Sequence, residues 1–172
     1  MSAPTSRDFV CGDLKVSIRP TIREMAELAA AAAAEALEKA LATRGSAAAI
    51  LATGNSQLEF LDVLVSGQGT KWNLDWSKIT LFHMDEYLGL PATHSASFRL
   101  YMKERVESTL KPKAFHYVEG DAMEPLKECE RYTELLEAQP STFAVSASEK
   151  TATSLSTIRP WLISKTSASS RS

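Results

Sequence analysis

Two carboxylates, Asp85 and Glu86, directly follow the apolar run Ile79 to Met84. Adjacent acids at the end of a core strand repel each other and are costly to hold together unless something uses them. One could move a proton while hydrogen bonds pin the other; alternatively, Asp85 caps a turn and Glu86 faces solvent. A second candidate is the loop Ala52-Thr53-Gly54-Asn55-Ser56, which leaves a short apolar run and opens a helical pattern. Gly54 lets the backbone approach a ligand closely. Free N–H groups and the helix dipole favour an anion there, and the Thr53 and Ser56 hydroxyls add donors. Taken alone, the loop reads either as a phosphate cradle or as an ordinary strand-to-helix turn with Asn55 or Ser56 as N-cap. His94, in Thr93-His94-Ser95-Ala96-Ser97, is a candidate substrate-site residue that could equally cap the next helix. His83 alternates with Phe82 and Met84 on a strand and reads as structural, and His116 has no partner in sequence.

The surrounding pattern supplies elements to carry these residues. Leu14 to Ile18 alternates apolar and polar residues as a short edge strand would. Thr21, with Glu24 three residues on, has capping-box spacing. From Ile22 to about Ala42 the chain is rich in Ala, Leu, Glu and Lys, strong helix formers, and Arg44-Gly45-Ser46 ends that helix. Ala47 to Ala52 reads as a strand buried on both faces. Leu58, Phe60, Leu61 and Leu64 follow at helical spacing and stop at Gly67-Gln68-Gly69. Trp72 to Trp76 is a connector, and Ile79 to Met84 a second core strand. A loop from Asp85 to about Thr93 leads to a helix containing Phe98, Tyr101, Met102 and Val106. Phe115 to Val118 could form a third strand, and Pro125 to Ala138 is amphipathic. Alternating strands and helices argue for an α/β domain with a parallel sheet, whose ligands collect beyond the carboxyl ends of the strands. The loops Thr53 to Ser56 and Asp85 to His94 both qualify.

Composition narrows the class. The chain has 172 residues, room for one domain or most of a larger one. Nineteen Lys and Arg against 21 Asp and Glu leave a net charge of -2, so no global field draws it to nucleic acid or to an anionic membrane. The six alanines from Ala29 to Ala34 are soon broken by Glu35, and Arg7 and Asp8 stand where a signal peptide would need apolar residues. Cys11 and Cys129 make neither a disulfide framework nor a metal cluster. A soluble, cytoplasmic setting is expected.

The string MDEYLGLPATHSASF, preceded by LATGNS, resembles the glucosamine-6-phosphate deaminase (isomerase) family, which is related in fold to the 6-phosphogluconolactonases. The resemblance runs through most of residues 14–140. It implies a Rossmann-like parallel sheet with flanking helices, a sugar-phosphate substrate, and no metal or organic cofactor. Lactonases usually show D-E-R at this point, so Tyr87 and the following Gly-Leu-Pro favour the deaminase side. By that resemblance the carboxylate matching Asp85 shuttles a proton between C1 and C2 of the opened aminosugar. The aldose becomes a ketose and the amine leaves as ammonia, a step of amino-sugar catabolism. Thr53, Gly54, Asn55 and Ser56 match the loop that holds the substrate phosphate. Asp85 and Glu86 are the candidate catalytic pair, with Glu86 expected to support the site rather than transfer the proton.

After the helix matching Pro125 to Ala138, the family continues with a strand and a G-x-G-x-N/D-G-H-x-A-F-N-E/D-P loop bearing the ring-opening histidine. That loop is absent here. Residues 141–172 are instead roughly half Ser and Thr with one acid, Glu149, a composition that predicts a flexible tail. With wobble bases chosen freely, the codons from Ser141 to Pro160 read one base out of frame as IDLCGLGIGENGHLAFNDP, the missing motif. The middle base of nearly every recovered codon is fixed by the residues present. The sequence therefore predicts a one-base deletion near Pro140, with residues 1–140 the amino-terminal part of the domain and 141–172 an out-of-frame, disordered tail. Thr153 then stands in place of the histidine, and Thr151 and Ile158 in place of its polar and acidic neighbours. Such a chain would have a sheet incomplete on its C-terminal side, with an open edge, and would be marginally stable and inactive or nearly so. Two other readings remain: a non-catalytic sugar-phosphate-binding remnant, and a lactonase-like hydrolase, which Tyr87 disfavours. The full-length form could assemble as a homo-oligomer.

Overall fold

Thr21 opens the long helix α1 (Ile22–Arg44) in the computed structural model, which describes residues 5–139, 141–148 and 152–156. Its Oγ1 accepts the Glu24 N–H at 3.1 Å, so the capping pair is formed. The helix runs on to Arg44 and ends at Gly45, whose N–H returns to Leu41 O at 2.9 Å. Its buried face is Ala26, Ala30, Ala33, Ala34, Leu37 and Ala40. Side chains this small let α1 lie close against α2 (Asn55–Ser66) and against the first core strand.

The main sheet has the order β5-β4-β3-β6-β7, with β3 (Ala47–Leu51), β4 (Ile79–His83), β5 (Ala114–His116), β6 (Phe143–Ser148) and β7 (Ala152–Ser156). The first four strands in that order run parallel, and β7 lies antiparallel on β6. Register pairs Leu51 with His83, and Met84 N–H still reaches Leu51 O at 2.9 Å beyond the strand end. Alternate residues Ala49, Leu51, Ile79, Leu81, Phe143 and Val145 join the alanines of α1 and Phe60, Leu61 and Leu64 of α2 in one core. The opposite face of β4 carries Phe82, which meets His116 at 5.0 Å and Tyr132 of α5 (Pro125–Ala138) at 6.1 Å between ring centroids. Between β4 and β5, α3 (Phe98–Met102) passes through a π-helical turn at Lys103–Glu107 into α4 (Ser108–Leu110), with Met102, Val106 and Leu110 buried. In the connector, Trp72 packs so closely that a Cβ on Gly67 would lie 2.2 Å from its ring. Among the described residues no helix is long and apolar enough to cross a membrane.

Two expectations are corrected. The strand β2 (Leu14–Ile18) does not edge the main sheet. It pairs antiparallel with β1 (Arg7–Cys11), a strand the alternation test passed over, in a separate hairpin. The turn at Gly12, with φ 60°, folds the chain back locally before it reaches the sheet. Second, the Ser/Thr-rich segment is not structureless at its start. β6 occupies the free edge of β3, Thr142 N–H bonds Ala48 O at 2.6 Å, and Phe143 and Val145 are buried. Average composition hid Phe143-Ala144-Val145, a short run with apolar residues for both faces of a sheet. The edge expected to be open is thus covered by β6 and β7. Pro140, residues 149–151 and residues 157–172, including Thr151 and Ile158, lie outside the described residues.

Candidate active site

The carboxyl ends of β3 and β4 bring the two candidate loops to one edge of the sheet. After β3, Gly54 adopts φ 112° and ψ 160°, a conformation open to glycine, and acts as the N-cap of α2 without any side-chain cap. The Gln57 N–H returns to Gly54 O at 2.9 Å. Thr53 Oγ1 and both amide atoms of Gln57 are buried without hydrogen-bond partners among the described residues. Unpaired buried polar atoms beside a helix N-terminus are suited to an incoming anion or water. Asn55 and Ser56 open the helix, and neither serves as its N-cap.

After β4 the two acids part company. Asp85 is exposed, and no hydrogen bond to its side chain is formed among the described residues. Burial of part of its surroundings, and then the neighbouring Glu86 charge, push its pKa above the ordinary carboxylate value. The Glu86 carboxylate is wholly buried, with its Oε1 accepting N–H groups of Tyr87 at 2.9 Å and Phe98 at 3.2 Å. Its Oε2 accepts the Ser97 hydroxyl at 2.7 Å, the Arg99 N–H at 2.9 Å and Arg99 Nε at 3.3 Å. Burial alone would raise the Glu86 pKa, but the donors of Arg99, Ser97, Tyr87 and Phe98 outweigh it and hold the carboxyl below its usual value. Chemically, the arrangement leaves Asp85 free to accept and return a proton while Glu86 anchors the loop. Glu86 does not face solvent; it caps the start of α3 from eleven to thirteen residues away.

His94 turns its Nδ1 to the Ala96 N–H at 3.1 Å, bracing the turn before α3. The turn after β5 supports the acid loop from the other side: Gly120 O accepts the Gly89 N–H at 2.6 Å. A Cβ on Gly120 would lie 2.3 Å from the Tyr87 carbonyl oxygen. Arg99, Gly120 and Tyr132 carry no motif that marks them in sequence. Tyr132 Oη accepts the His83 N–H at 2.9 Å and reaches His116 O at 3.2 Å, tying the ends of β4 and β5 together. A cavity of about 340 Å³ opens at the opposite, amino end of the sheet, between Arg44, Lys78, Thr80 and Lys113, away from the acids.

His83 is fully buried, with both ring nitrogens unpartnered among the described residues, edge-on to Phe98 at 6.2 Å and Tyr117 at 6.1 Å. Burial pushes its pKa down to about 4, against the opposing pull of Glu86 and helped by Arg99. The folded protein therefore excludes a proton that the unfolded chain takes up below its ordinary value of 6.5. Stability is expected to fall as pH drops from 6.5 towards 4, by about 3 kcal/mol in all. Urea unfolding at a series of pH values measures this, and His83→Phe should flatten the curve between pH 6.5 and 5. An unchanged slope in that variant would exclude His83 as the cause.

A family model described as glucosamine-6-phosphate isomerases/6-phosphogluconolactonase matches residues 20–153. The chain belongs to this family. It is 38% identical over 90 residues to glucosamine-6-phosphate deaminase 1 of Giardia intestinalis, covering 51% of this chain and 34% of that protein. With the glucosamine-6-phosphate deaminase of an Arthrobacter species it shares 30% identity over 127 residues, 73% of this chain and 47% of the relative. A solved monomeric glucosamine-6-phosphate deaminase superposes with a TM-score of 0.60 at 26% identity, over 69% of this chain and 48% of its own. A 6-phosphogluconolactonase from Shewanella baltica, at 20% identity and TM-score 0.58 over 70% of this chain and 49% of its own, shares the fold. The chain thus spans about a third to a half of the length of these relatives. In this chain's sheet, the acids and the Thr53 loop lie at the carboxyl edge, where α/β proteins bind ligands.

Proposed function

We propose that the gene encodes an aminosugar-phosphate deaminase/isomerase, converting glucosamine 6-phosphate and water to fructose 6-phosphate and ammonia. The observation that carries this reading is the division of labour between the acids: an open Asp85 of raised proton affinity beside a Glu86 consumed by five donors. In the proposed reaction the Thr53 to Ser56 loop anchors the phosphate dianion through the α2 N-terminus. Asp85 takes the proton from C2 of the opened aldose and returns it at C1. The amine on C2 then leaves as ammonia, with water supplying the ketone oxygen.

The chain as written lacks the histidine loop, and the frame restored before Ser141 supplies it. In that frame the codons under β6 (Phe143–Ser148) read Leu-Cys-Gly-Leu-Gly-Ile, preceded by Ile-Asp, which would keep a strand beside β3. β6 runs parallel to β3, so the chain beyond it leaves at the same carboxyl edge as Thr53. The histidine read at the Thr153 codon would then follow that strand directly. We propose that residues 141–172 are an out-of-frame product and that Asp85 acts on substrate only in the restored protein. The test is to resequence the codons for Gln139 to Glu149 and to assay both forms for ammonia release from glucosamine 6-phosphate. Turnover by the restored form and its absence in the chain as written supports the reading. Equal inactivity of both, with phosphate binding retained, would replace it with the sugar-phosphate-binding remnant.

A further inference from the structure

We infer that Arg99 is a positioning residue for Asp85, holding the Glu86 carboxylate, the Leu90 carbonyl and the Asp121 carboxylate on one guanidinium. The inference deepens the reading above and rests on Asp85 being the group that acts on substrate. Arg99 stands in the first turn of α3 with its side chain 10% exposed. Its Nε lies 3.3 Å from Glu86 Oε2, and its Nη2 lies 2.8 Å from both Leu90 O and Asp121 Oδ1. These partners come from three stretches: the residue after Asp85, the far end of the same loop, and the turn after β5. A planar guanidinium presents donors in fixed directions and can serve all three, whereas an ammonium has no such fork. The Asp121 turn is already pressed against the loop at Gly120, so Arg99 closes a frame around residues 85–90.

Charge gives the frame a second effect. The charged group acting on Asp85 is Glu86 on its own loop, and the groups facing Glu86 in turn are His83 on β4, Arg99 on α3 and Asp121 on the turn after β5. Arg99 is the cation bonded to buried Glu86 among the described residues. The N–H groups of Tyr87, Phe98 and Arg99 and the Ser97 hydroxyl hold Glu86 ionised, and all of them remain when the guanidinium is removed. Glu86 would then repel the charge on Asp85 without a cation to offset it. Arg99 thus acts on Asp85 through Glu86, by both place and charge.

The experiment uses the ligand-free chain as written, with Arg99→Met and Arg99→Lys. Amide exchange is followed at Tyr87, Gly89 and Phe98, with Ile79 to His83 as the internal reference, and the Asp85 carboxyl is titrated by carbon NMR. In Arg99→Met, exchange at the three loop amides should quicken by about 10- to 100-fold, with β4 unchanged. Asp85 should also titrate at higher pH than in the parent, because the ionised Glu86 beside it has lost its cation, a shift that a merely structural role would not produce. Arg99→Lys keeps the charge without the fork, so its Asp85 titration should match the parent while loop exchange still quickens. Parent-like loop protection or an unmoved Asp85 titration in Arg99→Met overturns the inference. If that variant does not fold, Arg99→Lys decides, and a fully protected loop there overturns it. No turnover is read, so failure here and failure of the ammonia assay are separate results.

Discussion

Asp85→Asn in the frame-restored protein is expected to cut ammonia release from glucosamine 6-phosphate by about 10²- to 10⁴-fold, the usual contribution of a positioned general base. Asparagine keeps the size of the side chain but cannot take the C2 proton. Phosphate affinity should barely change, because the proposed phosphate loop, Thr53 to Ser56, is carried by the end of β3 and the start of α2 and does not include Asp85. The loss should therefore appear in kcat, with inorganic phosphate competing as well against the variant as against the parent. The raised proton affinity of Asp85 adds a pH signature. Activity of the parent should fall on the acid side at a pH above the ordinary aspartate value, as Asp85 is protonated and loses its role as base. The variant should lack that limb. Turnover at the parent's rate in Asp85→Asn would remove Asp85 from the mechanism.

Glu86→Ala is the second large effect, and it falls on stability. Five donors converge on this carboxylate, and its removal leaves the partly buried Arg99 without that anion and the Phe98 and Arg99 N–H groups unpaired. Breaking a buried ion pair by removing one partner costs about 3–5 kcal/mol, a large share of the 5–15 kcal/mol that typically separates a folded domain from its unfolded chain. The urea midpoint should fall accordingly, and Glu86→Gln should recover part of it by keeping the shape and an acceptor oxygen. A midpoint shift under about 1 kcal/mol would show that solvent replaces these bonds. Acid has a related effect. The Glu86 pKa is depressed in the folded state, so its stabilisation is present above the unfolded value of 4.5 and is lost as pH falls through the lower folded value. His83 weakens the fold over the window just above this, so the two losses follow one another as pH falls.

Much of the architecture was legible because it depends on neighbours in the chain. Thr21 with Glu24, the alanine stripe of α1, the apolar runs under β3 and β4 and the Gly54 break are local signals, and each became the element it suggests. β6 was not legible, because a strand of mixed small residues forms only when β3 offers it an edge and the core accepts Phe143 and Val145. β1 was missed for the opposite reason: its partner is two residues away, and a search for core strands passes over it.

The sequence by itself determined that two acids meet a core strand's end and that a glycine loop opens a helix beside them. The histidine motif one base out of frame is its prediction about codons, which resequencing tests. Residue types and spacing left open which acid is free; the family resemblance pointed to Asp85, and only the tertiary structure gives the physical reason. The donors that occupy Glu86 come from the next residue and from Ser97, Phe98 and Arg99 across a loop, and nothing in the spacing says which of two adjacent carboxylates they will choose. The packing of the loop does: Ser97, Phe98 and Arg99 at the start of α3 meet Glu86, while the Asp85 side chain is left exposed.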